Sequence, residues 1–362
     1  MSINYSFYFG LVLILFTAFA CSDNEDEYTP APEPVSPVIF DLASVPYQNL
    51  SEYNFFEGDI ANLEPVYGVL PYKIISTLFI DYGKAKTFVW MPDGVSAKYV
   101  DDYSLFEFPV GAVLMTNHYF DNVLPYQTTK ILETRLLIKK EEEWVLANYK
   151  WNEEQTEATY TEEGFDVSLE WLENNEPRSV NYRIPSYPEC FTCHNKYSIV
   201  TPIGPKPQNF DRNVHYDEGE KNQLEKWLEF GYLESYPSSI NKLVDWSDET
   251  QPLDLRARSY LDINCSHCHT EHGYCEYRPM RFSFKDTADP VNAGICVEPD
   301  DDIGNGTVYI VSPGRPEKSV MHFRMSSVLT EYRMPLLGRT LRHEEGIELI
   351  EDWINSLTTI CN

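Results

Sequence analysis

Two five-residue segments carry the chemistry of this chain: Cys190-Phe191-Thr192-Cys193-His194 and Cys265-Ser266-His267-Cys268-His269, both C-x-x-C-H. Two thiols on one helical turn can add to the two vinyl groups of a haem. The next histidine then turns its imidazole toward the iron from the proximal side. The pattern predicts two covalently bound haem c groups, attached at Cys190, Cys193, Cys265 and Cys268, with His194 and His269 ligating iron. Only 8 Cys and 8 His occur in 362 residues, so composition alone does not produce two matches. Zinc ribbons separate their C-x-x-C pairs by about 15–20 residues, whereas Cys193 and Cys265 stand 72 positions apart. Structural disulfides across each C-x-x-C, open to an exported chain, are the other reading of the same thiols.

The second centre has a sixth-ligand candidate in Arg333-Met334-Pro335-Leu336-Leu337-Gly338, where a proline-stiffened loop would hold the Met334 thioether. Met280, Met321 and Met325 compete for that role. The first unit is built differently. Only 33 residues separate His194 from Trp227, against 84 between His269 and Trp353, and no methionine occurs between His194 and Cys265. Its distal position falls to His215, to Met115 or His118 from another domain, or stays open. Two unlike haems follow. Cys275 and Cys296 bracket an insertion in the second unit and are a candidate disulfide, which leaves Cys361 without an obvious partner.

The elements that must position these groups change in texture along the chain. From about 39 to 185 it reads as β. Thr77–Tyr82 and Lys86–Trp90 suggest strands around Gly83, and Glu133–Ile138 and Trp144–Trp151 suggest strands across a charged 139–143 turn. Short strands at this spacing predict an antiparallel sandwich or barrel-like domain. Trp90 and Trp151 read as strand core and His118 as a packed or surface residue. The stretch shows no catalytic constellation. From about 186 the texture is helical: Leu224, Trp227 and Leu228 share a face, and 255–263 and 344–357 are further amphipathic segments. The expected fold class is multidomain α+β: a β-rich domain at 39–185, a shortened haem unit at 186–250 and a second cytochrome c-like unit at 251–362.

Residues 7–20 form an apolar run too short to span a bilayer and of signal-peptide length, so 1–20 reads as a removed leader. Ala18-Phe19-Ala20-Cys21 resembles a lipobox, with Ala18 in place of the usual leucine and no Lys or Arg before it. Cys21 is then the lipidated N-terminus. Residues 21–38 form an acidic linker with four prolines, stiff and extended. The expected location is an outer-membrane lipoprotein facing the periplasm or the cell surface, with the lipid as its only membrane element. Against 28 Lys and Arg stand 57 Asp and Glu, a formal net charge of −29. That excludes a general nucleic-acid binder, whose phosphate contacts need clustered cations. It favours a redox partner protein with a basic docking face.

The stretch from Phe106 to the C-terminus resembles the exported dihaem c-type cytochromes that carry an N-terminal β domain. The likeness rests on Glu107-Phe108-Pro109-Val110-Gly111, Glu133-Thr134-Arg135-Leu136, Trp151-Asn152-Glu153-Glu154-Gln155-Thr156 and both C-x-x-C-H segments. It continues through Gly294-Ile295-Cys296, Pro313-Gly314-Arg315-Pro316, Arg333-Met334-Pro335 and Ile350-Glu351-Asp352-Trp353-Ile354. The resemblance implies haem binding and electron transfer at the residues named, rather than an enzyme. It implies no reaction for the β domain, and Arg315 departs from the acidic or small residue usual there. Two other classes stand beside it. One is a haem enzyme, such as a peroxidase or oxidase subunit, working at an open first haem. The other is a partner- or glycan-binding β module with auxiliary haems.

Overall fold

The computed structural model describes residues 34–361. The 1–20 segment, Cys21 and most of the 21–38 linker lie outside the described residues. Stretches rich in Val, Ile, Thr and aromatics form one eight-stranded antiparallel sheet. Its strands are β1 (Leu70–Tyr72), β2 (Lys84–Trp90), β3 (Val113–Val123), β4 (Thr128–Lys139), β5 (Trp144–Trp151), β6 (Ala158–Thr161), β7 (Phe165–Glu173) and β8 (Glu176–Ile184). β1 to β6 pair in sequence order, and the β7–β8 hairpin joins β3 through the single pair Val123 and Trp171.

The sheet does not close, which corrects the barrel-like expectation. The two ends of the β1–β6 run are blocked locally instead. At β1, Lys73 N–H donates to Gln223 Oε1 (3.1 Å) and Gln223 Nε2 donates to Lys73 O (2.7 Å). At β6, Tyr160 N–H donates to Gln48 O (2.9 Å). Residues 77–82, expected as a strand, are irregular. Asp81 and Tyr82 take positive φ, and Phe79 N–H donates to Asn264 Oδ1 (3.0 Å), so the segment leaves the sheet for the C-terminal half.

Six α-helices follow among the described residues: α1 (Tyr187–Cys193), α2 (Pro207–Phe210), α3 (Gln223–Glu229), α4 (Leu253–Asn264), α5 (Val320–Ser326) and α6 (Glu344–Ser356). The class is α+β. α3, α4 and α6 fall where the periodicity places them; α1, α2 and α5 carry no apolar repeat that marks them in the sequence. Both sheet faces are covered. On one, Leu50, Tyr53 and Phe55 pack against Phe88, Met115, Tyr149 and Trp151, so Trp151 and Trp90 are core residues. On the other, Tyr72, Val89 and Leu114 meet Phe210, Leu224 and Trp227. Leu228, expected on the same face as Trp227, is instead 42% exposed. A third core joins α4, α5 and α6 around Leu261, Met321, Ile350 and Trp353.

Trp227 is fully buried, 4.7 Å from Phe210 in ring centroids, and ties the chain after the first motif to the sheet. Trp227→Ala is expected to cost about 3–5 kcal/mol. A urea titration followed by tryptophan fluorescence checks it. No helix among the described residues is long and apolar enough to cross a membrane.

Candidate functional site

Local sequence explains why the first motif is helical. Ser186 caps α1, its N–H donating to Glu189 Oε2 (2.7 Å), and Arg183 Nη2 donates to the same oxygen (3.0 Å). Cys190 and Cys193 then lie one turn apart. His194 caps the helix end, and its Nδ1 lies 2.9 Å from Thr201 O. A carbonyl only accepts, so Nδ1 carries the proton and the lone pair is on Nε2. That is the tautomer a metal-ligating imidazole needs. Burial lowers the His194 pKa to about 4, keeping the ring neutral.

The second motif forms as α4 ends. Cys265 N–H still donates to Leu261 O, and His269 N–H donates to Cys265 O (3.0 Å each). His269 is buried, edge-on to Phe282, and burial lowers its pKa to about 4. Nδ1 of His269 and Nδ1 of His267 are buried with no hydrogen-bond partner among the described residues.

Two apolar-walled cavities contain these groups. One is bounded by Cys190, Cys193 and His194, with Arg135 and Tyr182 reaching it from the sheet. The other is bounded by Cys265, Cys268 and His269. They share Cys193, Asn264, His267, Met325, Met334, Pro335 and Leu337, so the cavities adjoin. Their outer cysteines converge: Cys193 Sγ, Cys268 Sγ and a ring nitrogen of His267 lie within 4.8 Å of one another. Neighbouring thiols act on one another here. Hydrogen bonding with Cys268 holds the Cys193 thiol well below its usual range and likewise lowers that of Cys275.

All four sequence-nominated methionines reach the second cavity. Met280, Met321, Met325 and Met334 line it, and Met325 and Met334 also line the first. Met334 rides on a loop that sequence reasoning named without seeing what holds it. Buried Arg339 donates to the carbonyls of Met334 (Nη2, 2.9 Å), Leu341 (3.0 Å), Arg324 (3.2 Å), Met325 (3.1 Å) and Ser327 (2.8 Å). Asp81, reaching across from the 77–82 segment, accepts from the Thr340 and Leu341 amides at 2.8 Å.

The distal candidates named for the first centre fare differently. His215 lies on the short strand Asn213–Tyr216 with its side chain 75% exposed beside Glu220, and it lines neither cavity. Met115 is in the core of the opposite sheet face. His118 is buried behind the cavity wall, where burial depresses its pKa to about 3. The wall holds groups the sequence reading missed. Arg135 Nη2 lies 2.5 Å from Glu133 Oε1, and Tyr182 Oη donates to the same oxygen (2.8 Å). Burial by itself would raise the Glu133 carboxyl, but the Arg135 charge and hydrogen bond, His118 and the Tyr182 hydroxyl together outweigh it and hold the group ionised. His343 also lines this cavity, from the N-cap of α6. Nothing in its sequence setting marks it; only the tertiary packing brings it there.

The nominated Cys275–Cys296 disulfide does not form. Cys296 pairs with Cys361, because the tail after α6 folds back beside the Ile295–Val311 bridge. Cys275 is a buried free thiol beside Cys268. The donor set fits two c-type haems: paired thiols at one-turn spacing, neutral imidazoles, and thioethers in apolar walls. Comparison with protein-family models, with curated proteins and with solved structures finds no match to this chain.

Proposed function

We propose that this chain is an exported dihaem c-type cytochrome that passes electrons between redox partners outside the cytoplasm. The observation that carries the reading is the convergence of two C-x-x-C-H segments, 75 positions apart from first cysteine to first cysteine, on two cavities with a common wall. Cys190, Cys193, Cys265 and Cys268 would form the thioether attachments, and His194 and His269 would ligate iron. Each haem, when bound, supplies a one-electron iron couple. The rest is done by the polypeptide. Thr201 O fixes the His194 tautomer, the apolar walls exclude water, and Arg135, paired with Glu133, sets a polar N–H edge in the wall of the first cavity. The packing of α4 against α6 is taken as the frame of a cytochrome c-like second unit, in keeping with the family resemblance. Lipidation at Cys21 would tether the chain to the outer membrane, and the −29 charge suits a partner with a basic face.

Intact mass and a reduced-minus-oxidised spectrum of protein matured in a cytochrome c-competent host test this. Two added haems and sharp reduced bands are expected; a mass without haem overturns it. The same preparation decides a second reading, favoured by the clustering of Cys193, Cys268 and His267 with Cys275 adjacent. Three thiols and an imidazole suit a soft metal such as zinc.

Met334→Ala is expected to lower the potential of the second haem and to remove its weak sulfur-to-iron band, because water or a harder ligand replaces the thioether. An unchanged spectrum transfers the role to Met280, Met321 or Met325.

A further inference from the structure

The first cavity has one wall that electron transfer alone does not require. Tyr260 Oη lies 3.0 Å from His343 Nδ1, and His343 Nε2 lies 3.8 Å from Glu345 Oε2. Tyr260 and His343 are buried and line the cavity, whereas the Glu345 side chain is 56% exposed. The three therefore run from cavity to solvent. The imidazole is fixed on every side: stacked on Phe79 (4.1 Å, 8°) and edge-on to Tyr82 and Trp246. Gly346 makes the arrangement possible. A methyl there would overlap Tyr260 Oη and sit 2.6 Å from His343 Nδ1. The last gap, longer than a hydrogen bond, is one that a water or a turn of the exposed Glu345 side chain spans.

We propose that Glu345 and His343, with Tyr260 holding the imidazole by its Nδ1, form a proton path into the first cavity, so that electron uptake there is accompanied by proton uptake. The inference rests on the haem reading above. In the step, one electron from an external one-electron reductant enters the centre. One proton leaves solvent, passes Glu345 and forms an N–H bond on His343, so a neutral imidazole becomes imidazolium and the local charge is unchanged. The groups facing His343 set its bias. Glu345 favours the imidazolium and Arg339 opposes it, with Asp81 partly offsetting Arg339; Arg342 and Glu344 pair with each other (3.1 Å). Phe79, Tyr82, Trp246 and Tyr260 carry no charge. Burial lowers the His343 pKa to about 4. Reduction removes one positive charge nearby and raises it.

The midpoint potential of the first haem should therefore fall as pH rises above about 4. The limit is tenfold in equilibrium constant per pH unit, about 59 mV for one electron. Spectroelectrochemical titration of the full haem-loaded chain from pH 4 to 9 reads it. His343→Gln and His343→Phe should flatten the first haem's slope and leave the second haem unchanged. Glu345→Gln, a surface change on the entry side, should slow reduction of the first haem and lessen its solvent isotope effect, and Tyr260→Phe, which removes the hydroxyl partner of His343 Nδ1, should shift the pH range of the slope without slowing entry. A flat wild-type profile, or a wild-type slope in both His343 variants, overturns the proposal while the haem reading stands. A chain with no covalent haem overturns both.

Discussion

Replacing Cys265 and Cys268 together by alanine is expected to halve the covalent haem of the proposed cytochrome, leaving one group attached at Cys190 and Cys193. Each attachment depends on its own pair of thiols, and α1 and the end of α4 are separate elements with separate caps. Intact mass before and after acid–acetone extraction counts the groups directly. The single variants Cys190→Ala and Cys265→Ala sharpen the result. Neither residue belongs to the cluster of Cys193, His267 and Cys268. A soft-metal centre would survive both changes, whereas each haem loses half of its attachment. Retained zinc with no change in colour sinks the cytochrome reading.

Arg339→Met destabilises the second half of the molecule by about 3–5 kcal/mol, since it strips a buried cation from a shell of carbonyls. Five carbonyls from residues 324, 325, 327, 334 and 341 accept from this one guanidinium. Methionine fills much of the volume and supplies no donor. Asp81, itself buried, also loses the positive charge it faces. Because Met334 hangs from the same shell, loss of its ligand band should precede global unfolding. Urea titrations read in the haem bands and in far-UV dichroism separate the two. A variant with an unchanged midpoint and an intact band shows that the loop holds itself.

How much of this was legible in the sequence follows from the range of the interactions involved. The cysteine motifs are local patterns, so spacing exposes them; α1 carries the first on a helical turn, and the second lies in the turns that follow α4. α3 and α6 carry a 3.6-residue period, and β4 and β5 carry β-rich runs on either side of a charged turn. The 77–82 segment has the composition of a strand but spends its hydrogen-bonding groups on Asn264, Thr340 and Leu341, all far along the chain. Composition cannot display such partners. Arg339 and His343 sit in a polar stretch that reads as an ordinary loop, and only burial gives them meaning. The pairing of Cys296 with Cys361 was equally out of reach, since Cys265, Cys268 and Cys275 all stand nearer to Cys296 in the chain.

The wall that the β-sheet lends to the first cavity bears on heredity as much as on chemistry. Phe79, Arg135 and Tyr182 precede the first C-x-x-C-H segment, yet they help to enclose the space beside it. A stretch copied from position 186 onward would bring every cysteine that holds the proposed haems and leave part of the enclosure behind. The first centre is thus not a cassette that recombination can move by itself. Sheet and centre are expected to descend together, with substitutions on the sheet face at 135 and 182 matched by changes around 190–194.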